Sequence, residues 1–295
     1  MMHRDARNPQ LHLPRGSAAE ARDLVAITPE RAGWRYTGLR VFELAPGEER
    51  VLDSGLDEAL VLPLAGGCTV TVEQQRFALE GRASVFDRVT DFVYLPLRSS
   101  VRIASAAGGT FALPSARATQ CGVAAYVPAE DVAVEVRGAG NATRQLNNFF
   151  SPSVGSADRL VAVEVLTPGG NCSSYPPHKH DLASDGEAEL EEIYYFRFDR
   201  TGAFGLHRTY AADGSFDVSV AVSDGDVFLV PRGYHGPCSA MPGYDMYYLN
   251  VLAGPGAVRS LAFTDDPAHA WIRPAWSGKA PDARVPMTSA RGRVG

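Results

Sequence analysis

A repeated rhythm of short apolar runs, each broken within a few residues by Gly, Pro, Asp or Asn, most constrains what this chain can fold into. Leu39-Arg-Val-Phe-Glu-Leu44, Ala59-Leu-Val-Leu-Pro-Leu64, Thr69-Val-Thr-Val-Glu73 and Phe92-Val-Tyr-Leu-Pro96 succeed one another in this way. Runs of this length between turn-forming residues read as strands of a β sandwich or barrel. No segment sustains a 3.6-residue period over three turns, so an all-β fold is expected. A second series follows the polar stretch Arg137-Gly-Ala-Gly-Asn-Ala-Thr-Arg144, with strands expected at Leu160–Leu166, Ile193–Phe198, Phe204–Tyr210, Val218–Val222, Val227–Pro231 and Asp245–Leu252. The chain of 295 residues therefore divides into an arm (1–35), a first β module (36–145), a second (146–275) and a tail (276–295).

Composition narrows the partners. A net charge of −6 argues against a nucleic-acid ligand, which calls for a basic face. No apolar run approaches the ~20 residues of a membrane-spanning helix. The first residues lack the apolar core of a signal peptide, so a cytoplasmic location is expected. The four cysteines form no CxxC pair and are expected to be buried thiols.

Chemistry concentrates in the second module. In Gly170-Asn-Cys-Ser-Ser-Tyr-Pro-Pro-His178-Lys-His180, two imidazoles stand two residues apart, which on a strand points both to one face. Downstream come Glu191-Glu192-Ile-Tyr-Tyr-Phe and Gly225-Asp-Val-Phe-Leu-Val-Pro231-Arg-Gly233-Tyr-His235. These strings resemble the two signature motifs of the cupin superfamily. The resemblance implies a bicupin, two tandem antiparallel barrels of the double-stranded β-helix (jelly-roll) type. It also implies one divalent ion held by His178, His180, Glu192 and His235, with water completing the shell. Glu192 is preferred to Glu191 because the six-residue strand Ile193–Phe198 follows it. The gap from His180 to Glu192 is longer than the usual one, with Asp181–Glu189 expected as a loop over the barrel mouth, and Gly233 to His235 is one residue shorter. Three imidazoles and a carboxylate suit Zn, Mn, Fe, Co or Ni without choosing among them. The first module has no such set, since no histidine occurs between residues 13 and 177.

Longer strings narrow the resemblance. Ser173–Asp181, Glu191–Arg197, Asp224–His235 and Pro242–Val251, together with Arg137-Gly-x-Gly-x-x-x-Arg144 and Asp266-Pro-Ala-His-Ala-Trp271, resemble the 5-deoxy-glucuronate isomerase family of myo-inositol catabolism. Cys172 and His207 depart from it, standing where Trp and Gln are expected. The resemblance implies an aldose–ketose isomerisation of 5-deoxy-glucuronate to 5-dehydro-2-deoxy-gluconate through an enediolate stabilised by the metal. Glu192, Glu191 or a metal-bound hydroxide is the candidate base. Lys179, Arg197, Arg208 and Arg232 are candidates for the substrate carboxylate, with Arg208 preferred and Arg197 expected to point away from the metal. Tyr194 and Tyr248 are candidates for the sugar hydroxyls. His207 is expected near the pocket as a structural residue, and His269 as a tie for the C-terminal segment; His3 and His12 carry no signal. A metal-dependent dioxygenase and a non-catalytic sugar-acid-binding cupin are the alternatives, and a homo-oligomer is left open.

Overall fold

Strand alternation sorts the apolar side chains of this protein, described here from a computed structural model over residues 11–150 and 157–294, into three cores rather than two. The first module is a nine-stranded antiparallel assembly centred on the long strand Asp57–Val72, which pairs with Gln75–Arg82, Phe92–Leu95, Ser100–Ala104 and Gly109–Arg117. The second is a pair of facing sheets. One runs in the order His12–Leu13, Val227–Val230, Glu191–Phe198, Met246–Ala253, Val161–Thr167, Arg144–Asn148 and Ala133–Arg137. The other contains Asp217–Ser223, Phe204–Tyr210, Tyr234–Ala240, His178–Lys179 and Thr264–Asp265. The expected all-β plan is thus observed, and no helix among the described residues is long and apolar enough to cross a membrane.

The central strands of the seven-stranded sheet are buried on both faces. Tyr194, Phe196, Phe228 and Tyr248 point into the second barrel, while Ile193, Tyr195, Leu229 and Leu249 pack against Leu39, Val41, Leu60 and Leu62 of the first module. This explains why Met246–Ala253 is buried at every position, since a strand covered on both sides needs no polar face. Polar side chains lock the same boundary. Buried Arg82 donates to buried Glu164, which also accepts from the Tyr247 hydroxyl (2.7 Å) and Asn147 (3.2 Å). Glu58 accepts from the backbone N–H groups of Asp158, Arg159 and Leu160 and from the Tyr94 hydroxyl.

Strand pairing runs across the expected segment boundaries. The division at 145/146 falls inside the strand Arg144–Asn148, and its partner Ala133–Arg137 also lies in the second module's sheet. The described part of residues 1–35 is no free arm: His12–Leu13 pairs with Val227–Val230, and Asp23–Ile27 pairs with Thr37–Leu44. In the described part of the expected tail, Val285 and Met287 join the inter-module core and buried Gln145 binds the backbone of Met287 and Thr288. Two-residue strands have no periodicity to read, which hides such pairings from a sequence. His3 lies outside the described residues.

Candidate metal centre

The two facing sheets of the second barrel each bring part of one donor set. His178 lies directly opposite His235 in register on one sheet, and Glu192 faces them from the strand Glu191–Phe198 of the other. The donor atoms of His180, Glu192 and His235 lie within 4.8 Å of one another, and all three residues are buried. His178 packs beside them, its ring centroid 4.5 Å from that of His235 and 6.4 Å from that of His180. Close approach is needed here: a Cβ on Gly236, at φ +99°, would meet the Ser174 carbonyl at 1.7 Å. Only glycine lets the strand carrying His235 pass so near the segment leading to His178.

Backbone carbonyls orient all three imidazoles. Nδ1 of His178 faces Pro176 O at 3.0 Å, Nδ1 of His180 faces Leu190 O at 3.3 Å, and Nδ1 of His235 faces Gly233 O at 3.4 Å. A carbonyl only accepts, so each contact places the proton on Nδ1 and leaves Nε2 to bind at the centre. His180 Nε2 is 2.9 Å and His235 Nε2 is 3.1 Å from Glu192 Oε2. Despite that distance, His235 Nε2 makes no aligned hydrogen bond among the described residues, and it is fully buried. A buried nitrogen without a hydrogen-bond partner calls for an explanation, and a lone pair directed at a cation supplies one. Both nitrogens of His180 face acceptors, so its ring is imidazolium unless a cation stands in for the Nε2 proton.

The electrostatics point the same way. Burial alone would raise the Glu192 carboxyl, but His235 and His180 outweigh it and hold it well below the usual carboxylate range. Burial, helped by neighbouring His235, keeps His178 neutral by lowering it well below an ordinary imidazole. An ionised Glu192 and a neutral His178 are ligand forms that a divalent ion requires, whereas the contact with Glu192 raises His180, whose Nε2 proton a bound ion would have to displace.

A cavity of about 350 Å³ opens onto this centre, with His178, His180, Glu192, Tyr194 and Tyr248 in its wall. Burial pushes both tyrosines well up, so each stays a neutral donor, and Tyr194 lies 2.9 Å from the Ser174 hydroxyl. Other candidates lie elsewhere. Glu191 points to the opposite face and accepts the backbone N–H groups of Arg35, Tyr36 and Thr37, which leaves it a tether rather than a base. Lys179 is tied to Asp181 and Glu187. The preferred Arg208 is on the outer sheet, forked onto Asp217 and stacked over Tyr210. Arg197 pairs with Asp224, facing away from the metal centre, and Arg232 lies over Phe216. None of these cations lines the cavity. Asp181–Ser184 and Glu187–Glu189 pair as a hairpin, and neither strand is among the residues lining the cavity.

His207 is buried beneath the centre, 5.0 Å from Tyr194 between ring centroids, with its nitrogens on Cys238 Sγ (2.8 Å) and Thr209 Oγ1 (3.0 Å). Cys68 and Cys238 are buried as expected, whereas Cys172 is half-buried and Cys121 exposed. His269 opens a short 3-10 turn; the C-terminal segment is tied down instead through Asp282 to Asn171 and Thr143 and through Thr288 to Gln145. Residues that the sequence did not single out for the pocket also line it: Arg137, Arg144, Asn250 and Arg273. The one signal was the Arg137-Gly-x-Gly-x-x-x-Arg144 string itself.

Comparison with known proteins agrees with this architecture. Residues 12–272 match the model of the KduI/IolB family. The 5-deoxy-glucuronate isomerase of Geobacillus kaustophilus (strain HTA426) is 40% identical over 266 residues, covering 89% of this chain and 95% of that relative. The enzyme of the same name from Bacillus subtilis (strain 168) is 36% identical over 249 residues, covering 83% and 91%. The crystal structure of an IolB-like protein from Salmonella typhimurium LT2 superposes with a TM-score of 0.84 at 37% identity, covering 90% of this chain and 99% of that one. An oxalate decarboxylase from Lactobacillus farciminis shares the bicupin fold, with a TM-score of 0.61 at 13% identity over 84% and 87% of the two chains. The chain belongs to the KduI/IolB family.

Proposed function

We propose that this protein is a 5-deoxy-glucuronate isomerase that uses one divalent ion, bound by His178, His180, Glu192 and His235, to convert its substrate to 5-dehydro-2-deoxy-gluconate. The observation that carries the reading is the set of three imidazoles, each anchored through Nδ1 to a carbonyl, facing Glu192 at the wall of a cavity large enough for a sugar acid. Relatives of like length bearing that enzyme's name supply the substrate.

Aldose–ketose isomerisation removes a proton from the carbon beside the aldehyde and returns one to the aldehyde carbon, building negative charge on two neighbouring oxygens. A divalent ion bound there supplies a Lewis acid for that charge; Zn, Mn, Fe, Co and Ni all suit the donors. Glu192 orients His180 and His235 and, as the candidate carboxylate that faces the cavity, is the side chain available to take and return the proton. Tyr194 and Tyr248 donate hydrogen bonds to substrate oxygens, since their raised pKa keeps the phenolic protons in place. Tyr194, Phe196 and Tyr248 close the inner end and keep water from the reacting carbons. The working location is the cytoplasm.

The test is to incubate metal-loaded protein with 5-deoxy-glucuronate in deuterated water and follow the carbons by NMR while recording dissolved oxygen. Conversion to the keto acid with no oxygen consumed is expected. Intact substrate with metal bound, or oxygen uptake with turnover, overturns the assignment.

A further inference from the structure

Three of the residues lining the metal-site cavity are arginines, and two of them are already matched. Arg137 is forked onto Glu135, with both contacts at 2.8 Å, and Arg273 onto Asp265 at 2.6 and 2.9 Å. Arg144 is different. It is only 4% exposed, its hydrogen bond is to the Ala142 carbonyl at 3.1 Å, and it forms no ion pair among the described residues. A buried charge without a counter-charge is costly, and removing one partner from such a pair destabilises strongly. Burial, reinforced by the charges of Arg137 and Arg273, draws its pKa down to about 10, which still leaves it cationic at neutral pH.

The surroundings hold this guanidinium in place. Gly138, at φ +88°, curls the loop between Ala133–Arg137 and Arg144–Asn148; a Cβ there would lie 2.1 Å from the Ala142 carbonyl and 3.0 Å from Arg144 Nη1. Both Arg144 and Arg273 lie over the Trp276 indole, at 5.8 and 5.9 Å. Arg273 also stacks on Phe263, whose ring is 4.9 Å from that of His178, so a chain of contacts links the arginines to the metal centre. A second donor lines the same wall: Asn250 Nδ2 is buried and has no hydrogen-bond partner among the described residues.

We propose that Arg144, assisted by Asn250, takes the carboxylate of a sugar acid whose carbonyl end reaches His178, His180, Glu192 and His235. One unmatched guanidinium, with an amide donor elsewhere in the same cavity wall, suits a singly charged, planar anion with two oxygens rather than a phosphate dianion. The identity of the acid rests on the isomerase reading, but the anion site does not. The sequence-favoured Arg208 is thereby replaced by a residue from a strand on the opposite sheet.

Calorimetry on the metal-loaded full chain with D-glucuronate and D-glucose tests this without turnover. Arg144→Gln is expected to weaken glucuronate about 100-fold while leaving glucose within about twofold. Arg144→Lys should recover part of the loss, keeping charge but not the fork, and Asn250→Ala should weaken glucuronate about tenfold. Unchanged metal content reports an intact barrel in each variant. Retained glucuronate binding in Arg144→Gln, equal loss of acid and neutral sugar, or no preference for the acid in the wild-type protein overturns the proposal. A wild-type protein that binds glucuronate through Arg144 yet leaves 5-deoxy-glucuronate unconverted contradicts the isomerase reading while supporting the anion site.

Discussion

In the first barrel the interior is filled by Phe42, Val61, Val70, Val93, Ile103 and Phe111, none of which has exposed surface. In the second, His180, Glu192, His207 and His235 occupy the interior among Tyr194, Phe196 and Tyr248. Polar groups out of water are tolerated only when each has a partner. The second barrel meets that condition with carbonyls on three Nδ1 atoms, a thiol and a hydroxyl on His207, and a carboxylate at the centre. Among the described residues, buried groups without a hydrogen-bond partner include His235 Nε2 at the candidate metal centre and Asn250 Nδ2 in the cavity wall, where Arg144 also lacks a counter-charge; the others, on Asp23, Arg50 and Arg159, belong to ion pairs outside the cavity. Related strand plans thus yield a filled barrel that covers its neighbour and a hollow one whose unmet valences mark where ligands bind.

Substitutions can break or sharpen this contrast. His235→Ala should abolish metal binding and lower turnover by far more than the 10- to 100-fold typical of residues outside the ligand set. Metal analysis and initial rates would show it, and a variant that keeps its ion would dissolve the contrast. In the filled barrel, Phe111→Ala should cost about 3–5 kcal/mol in chemical denaturation, with metal content unchanged in the folded protein. Loss of metal from folded F111A protein would mean that the two interiors are not independent.

Acid should distinguish the barrels through His207. Burial, with neighbouring His235, depresses this imidazole to about 3. The unfolded chain takes up a proton near the ordinary value of about 6.5, whereas the folded one refuses it until about 3, so stability falls as pH drops through that window. His207→Gln should remove about 2 kcal/mol of the decline between about pH 7 and about pH 5, read from urea midpoints of metal-stripped protein. Identical slopes for both proteins would refute this. The smallest effect is expected outside the barrel. Arg208→Gln breaks an exposed pair and should change stability by less than about 1 kcal/mol, leaving kcat/KM unaltered.

Much of this contrast was legible in the sequence, because a period of two sorts residues between faces and absence of histidine is absolute. The six-residue strand that follows it singles out Glu192 over Glu191, and strand alternation turns Arg197 outward. The carboxylate clamp was not legible. Proximity to the ligands along the chain favours Lys179, Arg197, Arg208 and Arg232, whereas sheet order sets Arg144–Asn148 beside Val161–Thr167 and the C-terminal segment brings Arg273 back to the cavity. Arg208 was misplaced for a related reason: spacing gives a residue's strand but not whether its neighbours, here Asp217 and Tyr210, already hold it.

The central claim is that the second barrel alone holds a metal, through the converging imidazoles and Glu192. Equilibrating the full chain with Mn or Zn, removing excess ion and measuring metal per chain by mass spectrometry tests it most directly, with His180→Ala and Glu192→Gln alongside. The account predicts close to one ion per wild-type chain and none in either variant. Two ions per chain, or one retained by both variants, would contradict it.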